Sequence, residues 1–109
     1  MRSIIAASAA LALGLLAFAP ASLGAEPHVF VIEVNKLAFG PSPTGIRVND
    51  IVEWRNKDIF RHSATASDGS FDIDLPPGGK GQTVVKRTGV IDYSCRFHTG
   101  MKGRLEVAP

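Results

Sequence analysis

Apolar and polar residues alternate in steps of two along most of this chain, the period of a half-buried β-strand. Residues 29–34 form a run rich in Val, Ile and Phe. Ile46, Val48, Val52 and Trp54 share one parity against Arg47, Asn49, Glu53 and Arg55, with Asn49-Asp50 as a turn between two short strands. Residues 82–87, carrying Thr83, Val84 and Val85, read as a further strand. Ile91, Tyr93 and Cys95 face one way and Asp92 and Ser94 the other, and residues 104–107 close the chain with Leu105 and Val107 on one face. Breakers separate these segments: Gly40-Pro41-Ser42-Pro43, Pro76-Pro77-Gly78-Gly79, and Gly89 before the strand that ends in Cys95. Residues 64–71 fit a loop, a short helix or an edge strand. Six or seven short strands with such turns predict an all-β chain folded as a small sandwich.

Residues 1–25 break the pattern. Met1-Arg2 gives a positive start, residues 4–18 are an apolar run, and residues 20–25 are small, with cleavage points after Ala21, Gly24 or Ala25. That is the anatomy of a secretory signal peptide. The run falls short of the about 20 apolar residues of a membrane span. The region has no Cys for a lipid anchor, and Arg2 stands alone, unlike a twin-arginine signal. The expected division is a cleaved signal peptide over residues 1–25 and one exported domain over residues 26–109, with no membrane span in the mature chain. A domain of roughly 85 residues has a marginal core, which a bound metal would strengthen. The net charge of the whole chain is +2, and Arg2 leaves with the signal. A nearly neutral domain carries no footprint of a nucleic-acid binder.

The chemistry concentrates in Cys95-Arg96-Phe97-His98-Thr99-Gly100-Met101, and Cys95 is the only cysteine. A lone thiol in an oxidising compartment is exposed to pairing or oxidation unless it is buried or ligated. A thiolate, an imidazole and a thioether suit copper in both common oxidation states. A blue-copper electron-transfer site uses two His and one Cys with a weak axial Met. The loop holds three of those groups, and His62 is the natural fourth. Other chemistries fit less well. A Cys nucleophile needs a base and an orienting Asn or Asp, and Cys, His, His, Met is a poor set for structural zinc. A binuclear copper centre needs two bridging cysteines. His28 sits beside the cleavage region, away from the motif. Gly78-Gly79-Lys80-Gly81 lacks the context of a phosphate loop and reads as a hairpin connection.

The residues resemble the cupredoxins, the type 1 blue copper proteins, and most closely their amicyanin and plastocyanin branch. The resemblance runs from about residue 29 to residue 107. Its first block is Phe39-Gly40-Pro41, then residues 46–56, then His62. Its second is Gly89, Tyr93-Ser94-Cys95, His98, Met101, Gly103 and Val107, with the short Cys-x₂-His-x₂-Met loop. It implies a Greek-key β-sandwich binding one type 1 copper ion, with His62, Cys95 and His98 as strong ligands and Met101 as the long axial one. It implies a periplasmic monomer, not an enzyme, that carries single electrons between a donor and an acceptor redox protein. Those partners are expected to dock near His98, on an apolar surface of Phe97, Gly100 and Pro41 ringed by Arg61, Arg96 and Lys102. The alternative is a copper-binding or copper-delivery protein without redox turnover. Two positions depart from the family. Ser63 stands where most relatives have Asn, a residue that braces the ligand loops. Thr99-Gly100 replaces a proline near the second His.

Overall fold

The alternating segments become strands in two sheets packed face to face. The computed structural model describes residues 26–109. The expected signal peptide, residues 1–25, lies outside the described residues. Nine strands follow in chain order: β1 (Val29–Asn35), β2 (Ala38–Phe39), β3 (Ile46–Arg47), β4 (Ile51–Asn56), β5 (His62–Ala66), β6 (Asp72–Leu75), β7 (Lys80–Val84), β8 (Gly89–Ser94) and β9 (Lys102–Ala108). One sheet has the order β2-β1-β4-β7 and the other β3-β9-β8-β5-β6. The pairs β1–β4 and β3–β9 are parallel and all others antiparallel. No helix among the described residues is long and apolar enough to cross a membrane. The all-β sandwich expected from the alternation is therefore the observed fold.

The inward faces meet on aromatic side chains. Trp54 of β4, fully buried, packs tilted on Phe71, just before β6, and edge-on to Tyr93 of β8 in the facing sheet, at ring-centroid distances of 5.1 and 5.3 Å. Each aromatic removes about 150–250 Å² from water, on the order of 4–6 kcal/mol before chain entropy is charged against it. Ile32, Val34, Leu75, Ile91 and Leu105 fill the space around them. Gly103 is required here, because a Cβ at that position would run into the Tyr93 ring.

The structure contains more strands than the alternation suggests, and each addition has a local cause. β2 returns from β1 through Lys36 and Leu37, both with positive φ (53° and 59°), a turn normally written with Gly or Asn. Residues 64–71 divide into β5 and a turn at Gly69, after which β6 pairs back along β5. The Asn49-Asp50 turn forms as expected, but it carries the chain between sheets: β3 pairs with β9, whereas β4 pairs with β1 and β7. Strand β3 therefore stops at Arg47, and Val48 is exposed rather than inward. Glu53, expected outward, is buried, with its Oε2 accepting from Arg55 Nε at 2.7 Å.

Candidate metal centre

One end of the sandwich gathers the sequence motif. His62 opens β5, Cys95 follows the last residue of β8, and Met101 precedes the first residue of β9. Ser94 pairs with Lys102, so residues 95–101 are the hairpin connection between β8 and β9. Two backbone bonds tighten it: Cys95 N donates to Met101 O and Met101 N to His98 O, both at 3.2 Å. Gly100, at φ 97°, supplies the left-handed turn that closes the loop. Thr99-Gly100 thus gives a closed hairpin without the family proline.

His62 Nδ1 and His98 Nδ1 each lie 3.7 Å from Cys95 Sγ. One donor atom from each of the three residues falls within 4.8 Å of the others. Metal bonds of about 2.0 Å to nitrogen and about 2.3 Å to sulfur, opened to a trigonal angle, give an N···S separation of about 3.7 Å. The donor set therefore fits a single ion held between the three side chains. His62 is completely buried and His98 half-buried. Their rings are 4.8 Å apart, tilted by 59°. Met101 is buried in the same core cluster as Cys95. His28 is elsewhere: its ring packs on Phe30, and its amide donates to Asp50 Oδ1 at 2.9 Å.

The Cys95 sulfur is prepared as an anion. Burial pushes its pKa up, but His98, the amides of Phe97 and Ser63 (each 3.4 Å from Sγ), and His62 together bring it down to about 6. A thiolate is the form that binds metal. Cys95 is buried, which disfavours the nucleophile reading.

Ser63 braces the two ligand segments, as the Asn of the family is expected to do. It is fully buried; its Oγ accepts from Arg96 N at 2.8 Å and shares a bond with Thr65 Oγ1 at 2.9 Å. Thr65 Oγ1 in turn donates to Asp72 Oδ1 at 2.8 Å. The serine is short, and Thr65 and Asp72 extend its reach.

Asp58, which the sequence reading did not single out, touches the candidate site. Its Oδ2 lies 2.8 Å from His62 Nε2. The same carboxylate accepts from the amides of Lys36 at 2.6 Å and Leu37 at 2.9 Å. Its pKa is lowered, first by the Leu37 amide against the cost of burial, then by His62 and Lys36. Asn56, also buried, sets the loop: its side chain donates to the carbonyls of Phe60, Leu75 and Pro76 and accepts from Asp58 N. The only sequence signal for Asp58 was its place four residues before His62.

The expected basic ring is changed by its surroundings. Arg61 forms a two-pronged pair with Asp74 at 2.8 and 3.0 Å, and Arg96 pairs with Asp72 at 3.0 Å. Both guanidiniums also stack on Phe97, 5.0 and 5.1 Å from its centroid. Arg61 and Arg96 are thus neutralised by β6, while Lys102 remains exposed. The surface beside His98 has an apolar part: Phe60 packs edge-on to the His98 ring at 6.1 Å, and Phe60 and the chain neighbour Phe97 are exposed. Pro41 lines a separate groove with Val31, Asn35, Ala38 and Phe39.

No protein-family model matches the chain. Among solved structures it is similar to the reduced state of an amicyanin proline-to-phenylalanine variant. Identity is 21%, the match covers 73% of this chain and 82% of that one, and the TM-score is 0.65. An oxidized amicyanin methionine-to-leucine variant matches at 20% identity over 72% of this chain and 81% of that one, with a TM-score of 0.63. The Cu(I) form of a methionine-to-alanine variant matches at 20% identity, covering 81% of this chain and 88% of that one, at a TM-score of 0.63. The chain has the cupredoxin fold.

Proposed function

We propose that this protein is a type 1 copper protein of the periplasm that carries single electrons between redox proteins. The observation that carries the reading is the convergence of His62, Cys95 and His98 at one end of a cupredoxin fold. In this reading His62 Nδ1, His98 Nδ1 and the Cys95 thiolate are the strong ligands, and the Met101 thioether is the weak axial one. Copper bound there would supply a one-electron Cu(II)/Cu(I) couple. The chain's own part is to hold those donors still. His62 and Cys95 are enclosed, Ser63 ties β5 to the Cys95 loop, and the hairpin fixes His98. Donors that do not move between states keep the reorganisation cost of transfer small.

His98 is the ligand nearest solvent and the proposed port for electrons. Phe60 and Phe97 beside it would form an apolar docking face that excludes water from a short-lived complex. Donor and acceptor would use this face in turn, with the protein itself a monomer and not an enzyme. Residues 1–25 are the proposed signal peptide and residues 26–109 the mature copper domain. The test is to load residues 26–109 with Cu(II) and record the visible spectrum and the reduction potential. An intense thiolate-to-copper band, lost in Cys95→Ser, and a reversible couple are expected. Met101→Leu should retain copper and raise the potential. Tight binding without a reversible couple would refute electron carriage and leave copper delivery as the function.

A further inference from the structure

Histidine offers a metal either ring nitrogen, and the partner of the other nitrogen decides which one is free. At His62 that partner is a carboxylate: Asp58 Oδ2 stands 2.8 Å from Nε2, and Nδ1 faces Cys95 Sγ. The carboxylate is itself immobilised. Two successive amides, Lys36 and Leu37, donate to its two oxygens. Both residues have left-handed backbone, at φ 53° and 59°, so their N–H groups converge on one anion. The Asp58 side chain is only 9% exposed and that of His62 is 0% exposed, so water screens their interaction poorly.

We propose that Asp58 is the positioning residue of the centre: clamped by the Lys36-Leu37 turn, its carboxylate holds His62 with Nδ1 toward Cys95 and favours the more highly charged state of the bound metal. The inference rests on the metal-site reading above. A fixed anion behind a ligand imidazole makes that imidazole a stronger donor. It also stabilises Cu(II) more than Cu(I), so it holds the potential down. The turn between β1 and β2 thereby becomes part of the metal site, although neither of its residues approaches the metal.

The test compares wild type with Asp58→Asn, which keeps the shape and an acceptor but loses the charge, and with Asp58→Ala. Asp92→Asn, at a carboxylate whose one side-chain partner among the described residues is Arg104, serves as the charge control. Cu(II) affinity should fall about 10–100-fold in Asp58→Asn, with a smaller change for Cu(I). If Cu(I) affinity were unchanged, the potential would rise by about 59 mV for each factor of ten. A potential in Asp58→Asn no different from that of Asp92→Asn would overturn the proposal. Zn(II), which has no redox chemistry, provides an arm independent of electron transfer. In the Zn(II)-loaded protein, ¹⁵N NMR should show a protected His62 Nε2–H, lost in Asp58→Ala together with about 10–100-fold of Zn(II) affinity. Equal Zn(II) affinity in wild type and Asp58→Ala would sink the proposal. If wild type showed no reversible copper couple, the electron-carrier reading would fail, and the Zn(II) arm alone would then decide the role of Asp58.

Discussion

Replacing Ser63 with alanine deletes one oxygen and leaves the backbone of β5 intact. That oxygen is completely buried and has two partners, Arg96 N at 2.8 Å and Thr65 Oγ1 at 2.9 Å. Thr65 keeps Asp72 as a partner, so its loss is small. Among the described residues the partly buried Arg96 amide has no other acceptor. Leaving a buried donor unmade costs about 1–3 kcal/mol. For a domain of this size each kcal/mol moves the melting temperature by about 4–8 °C, so a fall of roughly 5–20 °C is expected. The measurements are thermal unfolding for that shift and urea unfolding for the free energy, both on the metal-free protein, where ligation does not mask the difference. The Ser63 N bond to Cys95 Sγ survives, since it comes from the main chain. Arg96 lies between Cys95 and Phe97, however, so the Phe97 N bond to sulfur should lengthen. A less hydrogen-bonded thiolate donates more to Cu(II), and the potential should fall. Ser63→Thr keeps the hydroxyl and should retain most of both properties. A loss of stability below about 0.5 kcal/mol, the range of neutral surface substitutions, with an unchanged potential would refute the bracing role.

Because Arg61 and Arg96 are already paired with Asp74 and Asp72, the second-order rate with an acidic redox partner should be nearly flat in salt. A net basic ring would instead make it fall as the screening length shrinks from about 30 Å at 0.01 M to about 8 Å at 0.15 M. The double variant Asp72→Asn/Asp74→Asn unmasks both cations and should restore that fall, read by stopped flow. Asp68 should contribute to acid resistance, because Ser70 and the Arg87 guanidinium lower its pKa from 3.8 to about 2. A depressed carboxyl stabilises the fold above its ordinary pKa and loses that effect as pH falls through the folded value. Asp68→Asn should therefore flatten the dependence of the urea midpoint on pH between about 4 and 2, and an unchanged slope would contradict the assignment.

The three candidate ligands from 95 to 101 were legible because they share one loop, where spacing in sequence is nearly spacing in space. The strands β1 and β8 were legible for a similar reason: burial alternates along each of them, so the pattern survives in the sequence, whereas in β4 Glu53 is buried against the alternation. What stayed hidden depends on pairing between distant segments. Asp58 meets Lys36 and Leu37 across more than twenty residues, through a turn whose Lys-Leu sequence gives no turn signal. Arg61 and Arg96 looked like free cations because no acid adjoins them in the chain. Their partners stand on β6, which itself was not anticipated. Val48 followed the alternating pattern but fell just past the end of β3, where the chain leaves one sheet for the other.

Strand β6 also bears on how copies of this protein meet one another. It is the outermost strand of its sheet, and the outermost strand of any sheet is an open template for a second molecule. Here the template is four residues long, carries Asp72 and Asp74, and runs straight into Pro76-Pro77. The opposite border, β3, is two residues long, and so is β2 in the other sheet. β7, the remaining border, begins at Lys80 and is followed by Lys86 and Arg87. No border offers the long, flat, apolar row of unpaired amides that seeds intermolecular sheets. The aspartates that neutralise the arginines beside His98 therefore also keep this border closed to a second copy, and removing their charge should cost solubility along with docking behaviour.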